Sequence, residues 1–321
     1  FFFKQKTAYE IPKRDWSSDV CSSDLNYSTM DKVTYSSDTT SALPSTGALS
    51  AARYNLAASS SLTAGYFGGG QTTAGAFSTM DKVTYSTDTR STVPSTGSLS
   101  AARYLLAATG SESAGYFGGG NTSTPTVYTT MDKVDYASDT RTTVPGAGLS
   151  IARGSLAASS AKGSSLPIPA TATVTRFTDG TQAPNTGYFG GGIPTSSTMD
   201  KVVYTTDTTA QVPGASLSAA RYRLAATSSS TAGYFGGGRV PGNNYSTMDK
   251  VTYSSDTTAA VPGAGSALSS ARYALAATGS STAGYFGGGS PGTYSTMDKV
   301  TYATDNRTDR KSTRLNSSHV S

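Results

Sequence analysis

Between residues 26 and 308 short apolar runs alternate with clusters of Gly, Ser and Thr, and the same order of runs keeps returning. Arg-Tyr-x-Leu-Ala-Ala, as at 272–277, predicts a first strand. Ala-Gly-Tyr-Phe, ending in Gly-Gly-Gly, predicts a second, with a Ser/Thr/Gly turn between the two. Met-Asp-Lys-Val-Thr-Tyr, as at 248–253, alternates strictly. As a strand it puts Asp249, Val251 and Tyr253 on one face and Met248, Lys250 and Thr252 on the other. Ser-Ser-Asp-Thr-Thr closes that strand with turn formers, and Thr-Ala-Ala-Val-Pro predicts a short fourth strand stopped by proline. No segment keeps a 3.6-residue apolar period, which excludes a helical solenoid.

The units are tightly repeated. Thr-Met-Asp-Lys-Val occurs with Met30, Met80, Met131, Met199, Met248 and Met297, which are all 6 methionines of the chain. Leu-Ser-x-Ala-Arg ends in Arg53, Arg103, Arg153, Arg221 and Arg272, and Gly-Tyr-Phe-Gly-Gly-Gly contains Tyr66, Tyr116, Tyr188, Tyr234 and Tyr285. The intervals between those tyrosines are 50, 72, 46 and 51 residues, so one unit carries an insertion, at about 160–185. Four short strands in such a unit predict an all-β fold, a β-propeller of four-stranded blades. The pattern starts and stops in a third strand, which gives four complete blades plus pieces at both ends, five to six blades being represented. The end pieces either close a five-bladed ring or belong to a larger, truncated one.

These motifs resemble the kelch repeat. The double glycine after the second strand, the Tyr of Val-Thr-Tyr-Ser-Ser-Asp and the Pro-then-Arg spacing into the next unit all correspond to it, over essentially all of residues 26–308. Kelch repeats usually place a Trp about six residues after that Tyr; here the place holds Thr or Ala, as at Ala259 and Ala260. The array is therefore more similar to kelch-like arrays of phage and environmental microbial proteins than to animal ubiquitin-ligase adaptors. The resemblance implies a binding or structural propeller.

Both ends read differently. Residues 4–10 and 15–25 match translations of short-read library adapter; GAC TGG AGT TCA GAC GTG, for example, encodes 15–20. Residues 309–319 match the reverse complement of that arm. Residues 1–25 and 309–321 are accordingly expected to be adapter-derived and are set aside from fold reasoning. The exclusion matters because the only Trp, Cys and His (Trp16, Cys21 and His319) lie there. The formal net charge of +5 also shrinks: seven of 25 basic and five of 20 acidic residues belong to the ends, leaving 18 against 15. That balance, with basic residues spread one or two per repeat, argues against a nucleic-acid partner. No run of about 18 apolar residues is present, so no membrane-spanning helix is predicted.

Without His or Cys the repeats lack a Cys-His or Ser-His-Asp nucleophile, the usual zinc ligands and a copper-radical site. No catalytic residue, cofactor or metal is expected. The glycine triplets lack the Lys-Ser/Thr of a phosphate-binding loop, and are read as close-approach and turn positions. The five repeated arginines could ring an anionic ligand, but identical recurrence favours structural clamps between blades, bonded to carbonyls or to an aspartate. The repeated tyrosines are read as inter-blade core. In Met-Asp-Lys-Val the Asp and Lys point to opposite faces; a packed Asp and a solvated Lys are expected rather than an acid/base pair. Asp38, Asp88, Asp139, Asp207 and Asp256 are read as Asx-turn residues, each too isolated for a calcium loop.

Symmetry breaks at the insertion, where 171–177 alternates and could form a hairpin arm. Arg176, Phe177 and Asp179 there, with loop tyrosines Tyr245 and Tyr294, are the candidate binding residues. A tolerated surface insertion is the competing reading. The expectation is a non-enzymatic module presenting variable loops to a protein or glycan, on a phage tail or a microbial surface. The alternatives are an intracellular kelch-type adaptor and an accessory domain of a hydrolase.

Overall fold

The computed structural model describes residues 2–5, 27–34, 39–122, 126–144, 146, 148–160, 185–261, 267–291 and 296–310. Their elements are β-strands and three 3-10 turns. Five antiparallel sheets of four consecutive strands recur: blade one at 57–92, blade two at 107–143, blade three at 157–211, blade four at 225–260 and blade five at 276–310. The first strands of neighbouring blades lie side by side around an axis, which makes the fold a β-propeller of kelch-like blades. A sixth sheet contains three strands, Phe2–Gln5, Met30–Thr34 and Thr39–Ala42. The end pieces therefore do not merge into a five-bladed ring. Blade five is complete because Asn306–Arg310 pairs with Met297–Thr301 as a fourth strand, where the sequence pattern stopped at a third. Residues of both adapter-like stretches thus take part in strands.

Register explains how each blade meets its neighbours. In blade two Tyr116 is paired with Lys133, and Phe117 with Asp132. Directly opposite residues of an antiparallel pair share a face, so Tyr116 and Lys133 look one way and Phe117 and Asp132 the other. Phe117, Val134 and Tyr136 pack with Tyr66 and Met80 of blade one, while Tyr116 and Met131 pack with Phe189, Val202 and Tyr204 of blade three. Every hydrophobic cluster of this kind is a seam between two blades. The alternation of Met-Asp-Lys-Val-Thr-Tyr holds in blade four, where Val251 and Tyr253 pack toward blade three and Met248 toward blade five.

One strand starts later than its sequence pattern predicts. The first strand of blade five is Ala276–Gly279, not 272–277. Arg272 precedes it on a crossing segment, and Ala274 turns the chain at φ +52°. Asn55, Leu105, Ser155 and Arg223 make the same left-handed turn, at φ +54° to +57°.

An axial cavity of about 310 Å³ is walled by the Leu-Ala-Ala segments of all five blades. Met30, Leu49 and Phe67 also reach it, on the side where the sixth sheet has no inner strand among the described residues. Ala276 is exposed there, whereas its counterparts Ala57, Ala107, Ala157 and Ala225 are buried.

Candidate functional site

The repeated polar side chains are occupied within the scaffold. Arg53, Arg103, Arg153, Arg221 and Arg272 have no exposed surface. Each guanidinium meets the Asp of its own blade's Met-Asp-Lys-Val at 2.5 to 2.9 Å. Each also donates to the carbonyl of the Phe in its own Gly-Tyr-Phe, as Arg103 does to Phe117 at 3.1 Å. Their main chains, in contrast, bond to the preceding blade: Arg103 N–H donates to Phe77 and its carbonyl accepts from Gly70. One residue thereby fastens two blades. Burial pulls the guanidinium pKa of Arg53, Arg103 and Arg153 downward, and the paired aspartate opposes that shift.

Lysines of Met-Asp-Lys-Val are not solvated; they are half-buried and cross to the next sheet. Lys32, Lys82, Lys133, Lys201 and Lys250 reach Asp88, Asp139, Asp207, Asp256 and Asp305 at 2.7 to 3.0 Å. Tyr66, Tyr116, Tyr188 and Tyr234 donate to the same acceptors from the preceding blade, at 2.6 Å for Tyr66 and Asp139. These aspartates sit at turns with φ near +50° and serve as inter-blade anchors, a role the sequence reading had not given them. Asp38 lies outside the described residues. Among the described residues no three His, Cys, Asp or Glu side chains gather as a metal site.

What varies between repeats collects around the axis. The left-handed residues Asn55, Leu105, Ser155, Arg223 and Ala274 occupy equivalent places, and their main chains are linked in sequence. Leu105 N–H donates to Asn55, Ser155 to Leu105, Arg223 to Ser155 and Ala274 to Arg223, at 2.7 to 2.9 Å. This chain of bonds precedes the cavity-lining leucines and rims one mouth of the cavity. A second variable position follows each glycine triplet: Gln71, Asn121, Ile193, Arg239 and Ser290. Each forms a bridge with the residue after its blade's clamp arginine, Tyr54, Tyr104, Gly154, Tyr222 or Tyr273. Those tyrosines and all five variable residues are half-buried. The axial face thus combines flat rings with amides, hydroxyls and, in blade four alone, two arginines.

Of the binding residues expected from sequence, Arg176, Phe177, Asp179 and Tyr294 lie outside the described residues. Tyr245 is half-buried, with the Arg221 guanidinium 5.8 Å from its ring centre. Phe77 and Tyr128 stand in the same relation to Arg53 and Arg103, so this aromatic is a repeated lid on the clamp rather than a free loop residue. The positions after Gly-Gly-Gly open spacers whose variation, from QTTAGAFS to RVPGNNYS, already reads as a recognition rim in the sequence. The left-handed positions were missed; their signal is the changing letter before Leu in Arg-Tyr-x-Leu, or Arg-Gly-x-Leu in blade three.

Fold and site together define a kelch-like β-propeller whose constant residues build the seams and whose variable residues face the axis. No family model and no curated protein sequence matches the chain.

Proposed function

We propose that the repeat array of residues 26–308 is a non-catalytic binding module that presents its variable axial positions to a glycan or protein. The observation that carries this reading is the division of labour within each repeat. Residues identical in every unit are tied to one another inside the scaffold, and two of the positions that change in every blade stand at the axial mouth. Rigid scaffolds bearing variable surface residues are the usual form of a recognition site. The low charge and near-identical units suit a repetitive assembly such as a phage tail or a microbial surface structure.

The test is a panel of defined saccharides and purified surface proteins offered to the whole chain. A variant carrying Ala at Asn55, Gln71, Asn121 and Ser290 is run in parallel. Binding by the parent, lost in the variant while its β circular dichroism is kept, supports the reading. Turnover of a bound saccharide, or binding indifferent to these four changes, overturns it.

A further inference from the structure

Ten arginine side chains are described, and eight have an aspartate partner. Five are the clamps; Arg90, Arg141 and Arg307 reach Asp81, Asp132 and Asp298 at 3.7, 3.7 and 3.0 Å. Arg223 and Arg239 have no carboxylate within ion-pair distance among the described residues. Both converge on one ring: the Arg239 guanidinium is 4.4 Å from the centre of Tyr273 and that of Arg223 is 5.9 Å away. Two cations without a carboxylate partner among the described residues, set against a single aromatic ring, form an electropositive notch, because the ring quadrupole steadies them without neutralising them. Planar guanidiniums match the oxygens of a carboxylate or phosphate.

The surroundings indicate what carries the anion. Around the same mouth stand the amides of Asn55 and Gln71, the hydroxyl of Ser290, and the half-buried rings of Tyr104 and Tyr222. Neutral amides and hydroxyls beside flat rings suit a polyhydroxylated chain. Arginine clusters also read acidic peptides, but the neutral amide and hydroxyl neighbours of this notch favour a saccharide, and tetraglutamate in the titration below separates the two. We propose that Arg223, Arg239 and Tyr273 form the site for the carboxylate of an acidic saccharide. The proposal rests on the binding-module reading and gives its ligand a chemical class.

The experiment is calorimetric titration of the full chain with tetragalacturonate, its methyl ester, monomeric galacturonate and tetraglutamate. The variant is Arg223→Asn with Arg239→Gln, which copies the Asn55 and Gln71 already accepted at these places in blade one. Asn tolerates the left-handed backbone at 223, and neither arginine holds an ion pair among the described residues, so the fold is expected to persist. Loss of charge-assisted bonds should weaken tetragalacturonate binding by about tenfold or more. The methyl ester should bind the parent as weakly as the acid binds the variant.

Unchanged affinity in the variant, or no tetragalacturonate binding up to about 10 mM, overturns the proposal. Equal affinity for galacturonate would make the site one for a free carboxylate, and equal affinity for tetraglutamate one for acidic peptides; either result also overturns it. Should the arginine variant bind normally while the Ala variant at Asn55, Gln71, Asn121 and Ser290 does not, this proposal falls and the binding-module reading stands.

Discussion

The Arg103 guanidinium meets the Asp132 carboxylate at 2.8 Å with both side chains withdrawn from solvent. Asp132 also accepts from Ser100 N–H and Oγ, each at 2.9 Å, so the pair organises the segment that crosses from blade one to blade two. Removing Asp132 leaves the buried Arg103 charge uncompensated, a loss of about 3–5 kcal/mol. Removing Arg103 leaves Asp132 only the Arg141 cation, at 3.7 Å, among the described residues. Replacing both by apolar groups is far milder. Arg103→Met and Asp132→Leu are each expected to lower the urea midpoint strongly. The double variant should be more stable than either single one. Losses that simply add would show that the two charges do not depend on each other.

Alkaline pH probes the seams. Tyr136 stacks on Tyr66 at 4.7 Å and Tyr204 on Tyr116 at 4.9 Å, and their hydroxyls bond Ser59 and Thr109 of the preceding blade's first strand. Burial pushes the phenol pKa of Tyr136, Tyr204, Tyr253 and Tyr302 far above the ordinary value of 10.0. A phenol raised in the folded state keeps its proton while the unfolded chain loses it. Its contribution is therefore complete below pH 10 and declines above it, by about 1.4 kcal/mol per pH unit for each such group. Part of the phenolate absorbance at 295 nm should therefore appear only together with loss of β circular dichroism. Full absorbance with the β signal intact would refute this.

Much of the architecture was legible because the repeat is written in residue types that a propeller needs. Alternation in Met-Asp-Lys-Val-Thr-Tyr specified the third strand and its two faces, and five copies of one pattern specified the blades. The first strand was misplaced because its left-handed turn residue is Asn, Leu, Ser, Arg or Ala, none of them glycine, so no local signal marks it. The Lys82–Asp139 pair was equally hidden, since it joins residues 57 apart through blade packing. Identity across repeats pointed to structure, while the axial face emerged only when the variable letters were placed around one axis.

Glycine at the middle of each triplet answers a close approach. Gly119 has φ +69°, and a Cβ there would lie 2.5 Å from the Arg153 carbonyl oxygen of the crossing segment into blade three. That carbonyl already accepts from Gly120 N–H, so it cannot retreat without breaking an inter-blade bond. Gly119→Ala combines a backbone collision with left-handed strain and should destabilise the protein by more than about 1 kcal/mol. A denaturation midpoint equal to the parent's would contradict this geometry.

Gly154 should behave in the opposite way. Its neighbours in the repeat series are Tyr54, Tyr104, Tyr222 and Tyr273, and its φ is not left-handed. The space a side chain would enter is filled by the Asn121 amide, whose Oδ1 lies 1.6 Å from the Cβ position. That oxygen is buried without a hydrogen-bond partner. Rotating Asn121 outward returns an unsatisfied acceptor to water, while a side chain at 154 restricts the unfolded chain. Gly154→Tyr is thus expected to leave stability unchanged or raise it by about 0.5–1 kcal/mol, and to add another half-buried ring to the axial face. A clear loss of stability, especially one relieved by Asn121→Gly, would mean that the amide cannot leave its place.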